Sequence, residues 1–504
     1  MNDTLLLMIL NLIGKIFSFV REMIFSFTYG TGPITDAFNT STTAATLIFS
    51  VITYALSKTY IPSYNEIYKN KGEKEADIFT NKLLNFMLFL TSVIMILGLS
   101  FAPFVVKLFA AGYSGEKLQI ASTFMRAVIL SIYPNVYAAI MSAYLQVKGD
   151  FLTPALPLVI LNIILGITIL ISKGNVKIMA FGIFLAYLLQ YFMFPIALKK
   201  SNFTRKRKFY QMDESIKKIL ILSLPTTFTM AAVYISTIVD QSFASLVAPE
   251  GGVSIINYAL KILRIVSSTF IIPFQITAYP IIGKLVANGK MNEMKDLISK
   301  TLVKIMTLFI PSIIGLMILS KPIITFVYFR GEFTYQDMIM TSKVLFYYSL
   351  YLIGPALADL LYLSFFSNQN TRIPTIISFI QLGINIILDF TLSRIYGLVG
   401  LALATTISQF SAVIIAFVMY KKTYGNLDFA YIGKNISKLL IGGAFLGIFA
   451  KFFFSLKPSN FWLLLTIALS AVIYLSLIYL LKVDGIEEII QAFKNKIAKK
   501  RSAK

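Results

Sequence analysis

Runs of apolar residues long enough to cross a bilayer recur along the whole chain, separated by short polar segments. About 20 apolar residues in a helix span the hydrocarbon layer. A backbone in lipid must also satisfy its own hydrogen bonds, which favours helices over open strands. The pattern predicts fourteen helices, at about 5–28, 35–57, 83–104, 119–144, 153–172, 178–198, 219–247, 253–280, 301–320, 338–366, 373–393, 398–420, 437–456 and 461–481. The expected fold is an all-α polytopic membrane protein. After Lys482 the pattern changes. Ile486, Ile489, Ile490, Phe493 and Ile497 keep helical spacing with lysines opposite. That reads either as an amphipathic helix on an anionic leaflet or as a solvated basic tail.

An internal repeat sets the organisation. Asn162-Ile163-Ile164-Leu165 recurs as Asn385-Ile386-Ile387-Leu388, each after a proline (Pro154, Pro374). Each copy is followed by a helix with Gly, Ala and Gln in similar order: Gly182, Ala186, Gln190 and Gly400, Ala404, Gln409. Six predicted spans separate equivalent points, and an even number keeps orientation. Two parallel six-helix lobes around a central cavity follow, at 1–200 and 217–425. An additional helix pair occupies 436–482, and 483–504 is a basic cytoplasmic tail.

Composition supports the membrane class. Residues are 57% hydrophobic and only 14% charged, where soluble domains carry about 25%. The chain has no Cys and no His. Thiol nucleophiles, disulfides and imidazole acid–base chemistry are excluded together. A net charge of +23 raises nucleic acid as a partner, but its distribution argues against that. With the N-terminus inside, inside loops carry 31 Lys and Arg and outside loops eight. That bias places both termini in the cytoplasm. The first 30 residues lack a basic leader and a small-residue cleavage site, so the first helix is expected to be retained.

Charges inside the spans change the picture. Asn11, Lys15, Ser18 and Glu22 share one face of the first predicted helix, with Arg21 beside it. Asp36, Thr40, Thr43, Ser50 and Ser57 form a polar stripe on the second, and Ser254, Asn257, Lys261, Arg264 and Ser268 one on the eighth. A charge at the bilayer centre costs roughly 2.5–3.5 kcal/mol on insertion scales, so it faces water or a partner. The stripes read as a cationic cavity for an anionic substrate, against the alternative of structural ion pairs between helices. A second group is rich in oxygen: Asp240, Asn385, Asp389 and Thr405. Carboxylate, amide and hydroxyl oxygens suit a small hard cation. Sodium or proton coupling is one reading, and a buried polar network joining three helices is the other. Short outer loops leave little room for a catalytic domain, and no Gly-Lys-Ser/Thr phosphate loop follows the glycine pairs.

These residues resemble the MurJ/MviN lipid II flippase family, of the multidrug/oligosaccharidyl-lipid/polysaccharide exporter superfamily. Gly14 to Arg21-Glu22, then Tyr29-Gly30-Thr31-Gly32-Pro33 and Thr35-Asp36-Ala37-Phe38, look like its first helix and glycine-rich turn. Ile256-Asn257-Tyr258-Ala259 before Lys261, Arg330-Gly331-Glu332-Phe333-Thr334 with Asp337, and the Gly-Leu-Ala-Leu-Ala-Thr helix at 400–405 are similar to further elements. The resemblance implies a non-enzymatic flippase of the bacterial inner (plasma) membrane. It would move the peptidoglycan precursor lipid II, an undecaprenyl-pyrophosphate-linked saccharide, by alternating access, driven by a cation gradient or the membrane potential. It implies that Lys15, Arg21 and Lys261 engage the pyrophosphate, that Asp36 is a cavity acid, and that Asp240, Asn385, Asp389 and Thr405 hold sodium. Ser18, Glu22 and Arg264 complete the substrate-binding set on their stripes. The helix pair at 436–482 would be the groove for the lipid tail. Membrane lipids are the other expected partners, the protein is expected to be a monomer, and no cofactor beyond Na+ is expected. In the second helix the family's Pro-Asn-Leu with basic residues is replaced by Ala45-Thr46-Leu47-Ile48-Phe49-Ser50. An exporter of another lipid-linked oligosaccharide, or of drugs, is the nearer alternative, and a membrane glycan ligase or polymerase the farther.

Overall fold

The computed structural model describes residues 3–206, 216–217, 234–368 and 370–485, without the side chains of 3–9, 11, 51–59 and 271–277. The Asn11 and Ser57 side chains, most of the predicted seventh span and nearly all of the basic tail lie outside the described residues. Among the described residues all regular structure is helical. Eleven helical segments are long and apolar enough to cross a membrane, and they match the predicted spans other than the first, second and seventh. The first two predicted spans fall on continuous helices, α1 (Asp3–Tyr29) and α2 (Pro33–Lys71).

Three predicted spans are broken in the middle, and proline is the reason. A proline lacks the N–H and its ring clashes with the carbonyl four residues back. Pro134 lies between α5 (Gly115–Ile129) and the body of α6 (Ile132–Val147). Pro195 separates α8 (Val176–Leu189) from α9 (Phe194–Lys200). Pro355 separates α14 (Tyr335–Ser349) from α15 (Ile353–Ser367), with a short 3-10 turn between. In each case the helix stops about one turn before the proline.

Contacts divide the chain into two compact units. The first is Met1–Ser254 with Tyr328–Asp337. It also holds α3 (Glu73–Ser100), α4 (Ala102–Phe109), α7 (Pro157–Ser172) and the helical residues 234–247, here α10. In it, α1 packs on α7, α7 on α8, and α2 on α5 and α6. The turn after α1 is tight. Gly30 and Gly331 have φ of +54° and +58°, and a Cβ on either would sit 2.3 and 2.1 Å from backbone oxygens of Glu332 and Phe27. Only glycine fits such an approach in the left-handed region.

The second unit is Ile255–Val327 with Met338–Lys504. It contains most of α11 (Gly252–Ala287), then α12 (Met291–Ile318), all but the last residue of α13 (Ser320–Tyr328), α16 (Arg372–Tyr396), α17 (Leu398–Tyr424), α18 (Phe429–Leu456) and α19 (Asn460–Leu480). Here α16 packs along α17, and α18 lies between α12 and α19. Gly443 and Gly447 bring α18 against Ile314 and Ile318, the small-residue contact typical of helices in lipid. The outer faces of α18 and α19 stay apolar and exposed, with Ile448, Phe461 and Leu480 at least 70% accessible. A soluble surface would not carry such a band; hydrocarbon covers it. The repeat has a matching counterpart in each unit. Asn162 and Asn385 are both buried, and Gly182 and Gly400 let α8 and α17 close on α7 and α16.

Candidate functional site

The polar stripe of α1 lies opposite its lipid-type face. Leu12, Ile16, Val20 and Phe27 are exposed on one side, and Ser18 and Glu22 lie on the other. Lys15 is exposed and Ser18 half-buried. Arg21 is mostly buried and forms an ion pair with its neighbour Glu22, which is 5% exposed. Adjacent helical residues do not normally face each other, so both side chains turn sideways to meet. Two tyrosines that the sequence reading missed stand near this pair. Tyr187 of α8 lies within electrostatic reach of Arg21, and Tyr328 within that of Glu22. Just past the end of α8, the Asn135 side-chain oxygen accepts hydrogen bonds from Tyr191 at 2.5 Å and Gln190 at 3.4 Å.

Asp36 is placed differently from the open cavity acid expected of it. It is completely buried. One oxygen accepts from the Ser254 N–H at 2.8 Å and the Ser254 hydroxyl at 2.5 Å. The other accepts from the Gly251 N–H at 2.8 Å and the Lys117 ammonium at 2.5 Å. Lys117 also reaches the Pro249 carbonyl and sits 4.3 Å from the Tyr113 ring centre. Asp36 thus caps the first turn of α11, where a helix presents unsatisfied N–H groups and partial positive charge. Four donors leave its carboxylate no face for a ligand in this conformation. Lys117, counted in the sequence only as an outer-loop charge, is its counter-ion.

The motif around Arg330 is also structural. Thr334 and Asp337 form a reciprocal cap on α14: the Asp337 N–H donates to the Thr334 hydroxyl at 3.2 Å, and the Thr334 N–H to Asp337 at 2.9 Å. The other Asp337 oxygen accepts from the Thr31 hydroxyl at 2.6 Å.

The stripe on α11 emerges from the core as it runs along the helix. Ser254 and Asn257 are buried, Lys261 is half-buried, and Arg264 is exposed. The Lys261 ammonium is 5.3 Å from the Tyr258 ring centre, close enough for a cation–π attraction. The structure therefore brings Arg21 and Glu22 together in the first unit and sets Lys261 and Arg264 one turn apart in the second.

Asp240, on α10 in the first unit, is nearly buried. Asn385 and Asp389 lie one turn apart on α16, both buried, and the Thr405 hydroxyl of α17 donates to the Leu401 carbonyl at 3.0 Å. Among the described residues no three acidic side chains cluster. Within the second unit, the Asn385 amide, the Asp389 carboxylate and the Thr405 hydroxyl are oxygen groups of the kind that suit a hard cation.

Comparison with known proteins adds the family. A family model described as "Lipid II flippase MurJ" matches residues 25–472. A "Probable lipid II flippase MurJ" of Buchnera aphidicola subsp. Baizongia pistaciae (strain Bp) is 27% identical over 428 residues, 82% of each chain. A solved structure titled "Lipid II flippase MurJ, inward closed conformation" is similar with a TM-score of 0.78 and 26% identity, over 94% of this chain and 98% of that one. An inward-facing multidrug transporter of the MATE family shares the fold at a TM-score of 0.68, with 16% identity over 83% of this chain and 98% of its own.

Proposed function

The chain belongs to the MurJ lipid II flippase family, and from that premise we propose that it moves lipid II across the bacterial cytoplasmic membrane by alternating access. The observation that carries this reading is the family match from residue 25 to residue 472. The protein is a multi-pass membrane transporter and not an enzyme. Both termini lie in the cytoplasm on the loop-charge bias, and the working form is a monomer.

The diphosphate of the substrate needs cations that can be reached. Lys15 and Arg21 offer them on α1, and Lys261 and Arg264 on α11. Arg21 is held by Glu22 until the substrate arrives, and the diphosphate then competes for the guanidinium with better geometry and more charge. Arginine's planar fork binds phosphate oxygens in pairs, whereas Lys15 and Lys261 supply point charges. Ser18 donates a hydroxyl on the same face. Asp36 serves by holding the first turn of α11 in place. Asp240, Asn385, Asp389 and Thr405 are the proposed sodium ligands, and sodium supplies a gradient that resets the carrier. The helix pair α18–α19 carries the prenyl tail along its apolar exposed face. The uncharged segment at 45–50 favours one further reading, a related lipid-linked saccharide as the substrate.

The test is complementation of a strain depleted of its own flippase. Arg21→Ala is expected to fail to rescue although the protein reaches the membrane at normal level. Full rescue removes Arg21 from the mechanism.

A further inference from the structure

The chain between the two repeats is fastened to the first unit just after α9 ends. Asn202 has φ of +54°, a left-handed residue that stops the helix, and the Phe203 N–H donates back to the Leu198 carbonyl at 3.0 Å. Phe203 then packs on Tyr144 of α6, with ring centres 4.8 Å apart. Thr204–Lys206 follow without regular structure and run beside α3. Asn81 and Asn85 stand one turn apart on α3 and meet them there.

Both asparagines bond to backbone. The Asn81 Nδ2 donates to the Thr204 carbonyl at 3.1 Å, and its Oδ1 accepts from the Lys206 N–H at 2.8 Å. The Asn85 Nδ2 donates to the Lys206 carbonyl at 3.1 Å. A carbonyl and an N–H that flank one residue are the pair an added strand would take, and a carboxamide supplies the same donor and acceptor. Arg205 closes the arrangement. Its Nη1 donates to the Lys206 carbonyl at 2.8 Å and to the Asn81 Oδ1 at 3.3 Å, and its Nη2 to the Asn85 Oδ1 at 2.6 Å. The Asn81 amide can point only one way. Its Nδ2 also donates to the Asp77 carbonyl of its own helix at 3.1 Å, and exchanging its oxygen and nitrogen would set all four of its contacts like against like.

Held this way, residues 204 and 206 are recognised by their backbone and not by their side chains. The fastening is polar, and Asn85 is only half-buried, so it can be removed without emptying the core. Alternating access needs packed elements to shift as bodies while the chain between them stays attached. We propose that Asn81 and Asn85 are positioning residues for transport: they clasp Thr204–Lys206 to α3, so that the chain leaves the first repeat from a fixed point throughout the cycle. This rests on the transport reading and adds two residues to it.

The experiment uses the full-length protein, in nanodiscs for residue-resolved hydrogen exchange and in vesicles for flipping of fluorescent lipid II. In Asn81→Ala/Asn85→Ala the Lys206 amide is expected to exchange about tenfold faster than in the wild type. The Phe203 amide, bonded to α9 and not to the clasp, should keep its rate, which separates local release from loss of the fold. Flipping should slow several-fold while lipid II binding is unchanged. Lys206→Pro deletes the N–H that Asn81 accepts, and should slow flipping in the same way. Lys206→Gln keeps that N–H and should flip as the wild type does. A Lys206 amide that exchanges equally fast in the wild type and the double variant overturns the proposal. So does full flipping by a variant whose Lys206 amide is released, and so does equal flipping by the proline and glutamine variants. Failure of the transport reading shows separately, as a wild type that flips no lipid II although its Lys206 amide is protected, and it removes the positioning role with it.

Discussion

Two buried carboxylates in the first unit, Asp36 and Glu22, hold basic partners in opposite ways. Asp36 takes two backbone amides, a hydroxyl and an ammonium, all drawn from residues distant in sequence. Glu22 holds the guanidinium next door to it, and Arg21 keeps some access to solvent. The first arrangement is over-determined: no single partner's departure frees the carboxylate. In the second, one better acceptor can take the arginine. Burial alone does not mark a functional charge; the origin of its donors, distant or adjacent in sequence, separates these two.

The largest effect should come from removing Asp36. Asp36→Ala strands the Lys117 ammonium and two amides of the α11 cap away from water. Breaking a buried pair by deleting one member costs about 3–5 kcal/mol. Thermal unfolding in detergent should show a large fall, with transport lost in step. An Asp36→Ala protein as stable as the wild type would break the distinction between the two carboxylates. Lys117→Met is the milder form. It leaves Asp36 with three of its donors, so the loss should be nearer 1–3 kcal/mol. A double-mutant cycle joining Lys117→Met to Asp36→Asn should then give a coupling of about 0.5–3 kcal/mol.

Arg21→Ala should invert that pattern. Arg21 keeps some access to solvent, so its removal should cost less stability than that of Asp36. Flipping of fluorescent lipid II in vesicles should nonetheless fall to background. If stability and transport fell together, Arg21 would be a structural ion pair of the same kind as Asp36–Lys117.

This contrast was only partly visible in the sequence. The helices were legible because lipid demands long apolar runs. Pro134, Pro195 and Pro355 were just as visible, yet the breaks before them were missed, because one proline barely lowers the mean hydropathy of a long apolar run. The α1 stripe was legible from its spacing. The partners of Asp36 were not. Lys117 is 81 residues away and Ser254 is 218 away, and no local pattern connects them. The Thr334–Asp337 cap could have been read from its spacing, since a hydroxyl residue followed three positions later by an acid is a helix-start signature. Tyr187 and Tyr328 gave no signal, because a tyrosine in an apolar run reads as packing.

A third ion pair, at the edge of the first unit and outside the predicted spans, supplies the solvent-exposed end of the comparison. Lys148 binds Glu73, whose side chain is 61% exposed, and lies 5.3 and 5.9 Å from the ring centres of Tyr144 and Tyr64. Burial works against the Lys148 charge, but Glu73 and the two phenols outweigh it, and its pKa is raised above that of an ordinary lysine. Such a pair stabilises the fold below the unfolded lysine value of about 10.4, and that contribution is lost as pH rises through the folded value. Solvent screening limits its size, so Glu73→Gln should cost only about 0.2–1 kcal/mol at neutral pH. Tyr64 acts in the same direction. Burial, then the Asp77 carboxylate, push its phenol up to about 12, so the folded state keeps a proton that the unfolded chain sheds near pH 10. Stability should therefore decline between about pH 10 and 12. Tyr64→Phe removes the phenol and should show a shallower decline when denaturation midpoints below and within that window are compared. Identical slopes for the two proteins would mean that Tyr64 is wetter than its packing indicates. A cost for Glu73→Gln as large as that for Lys117→Met would break the ordering of the three pairs by burial.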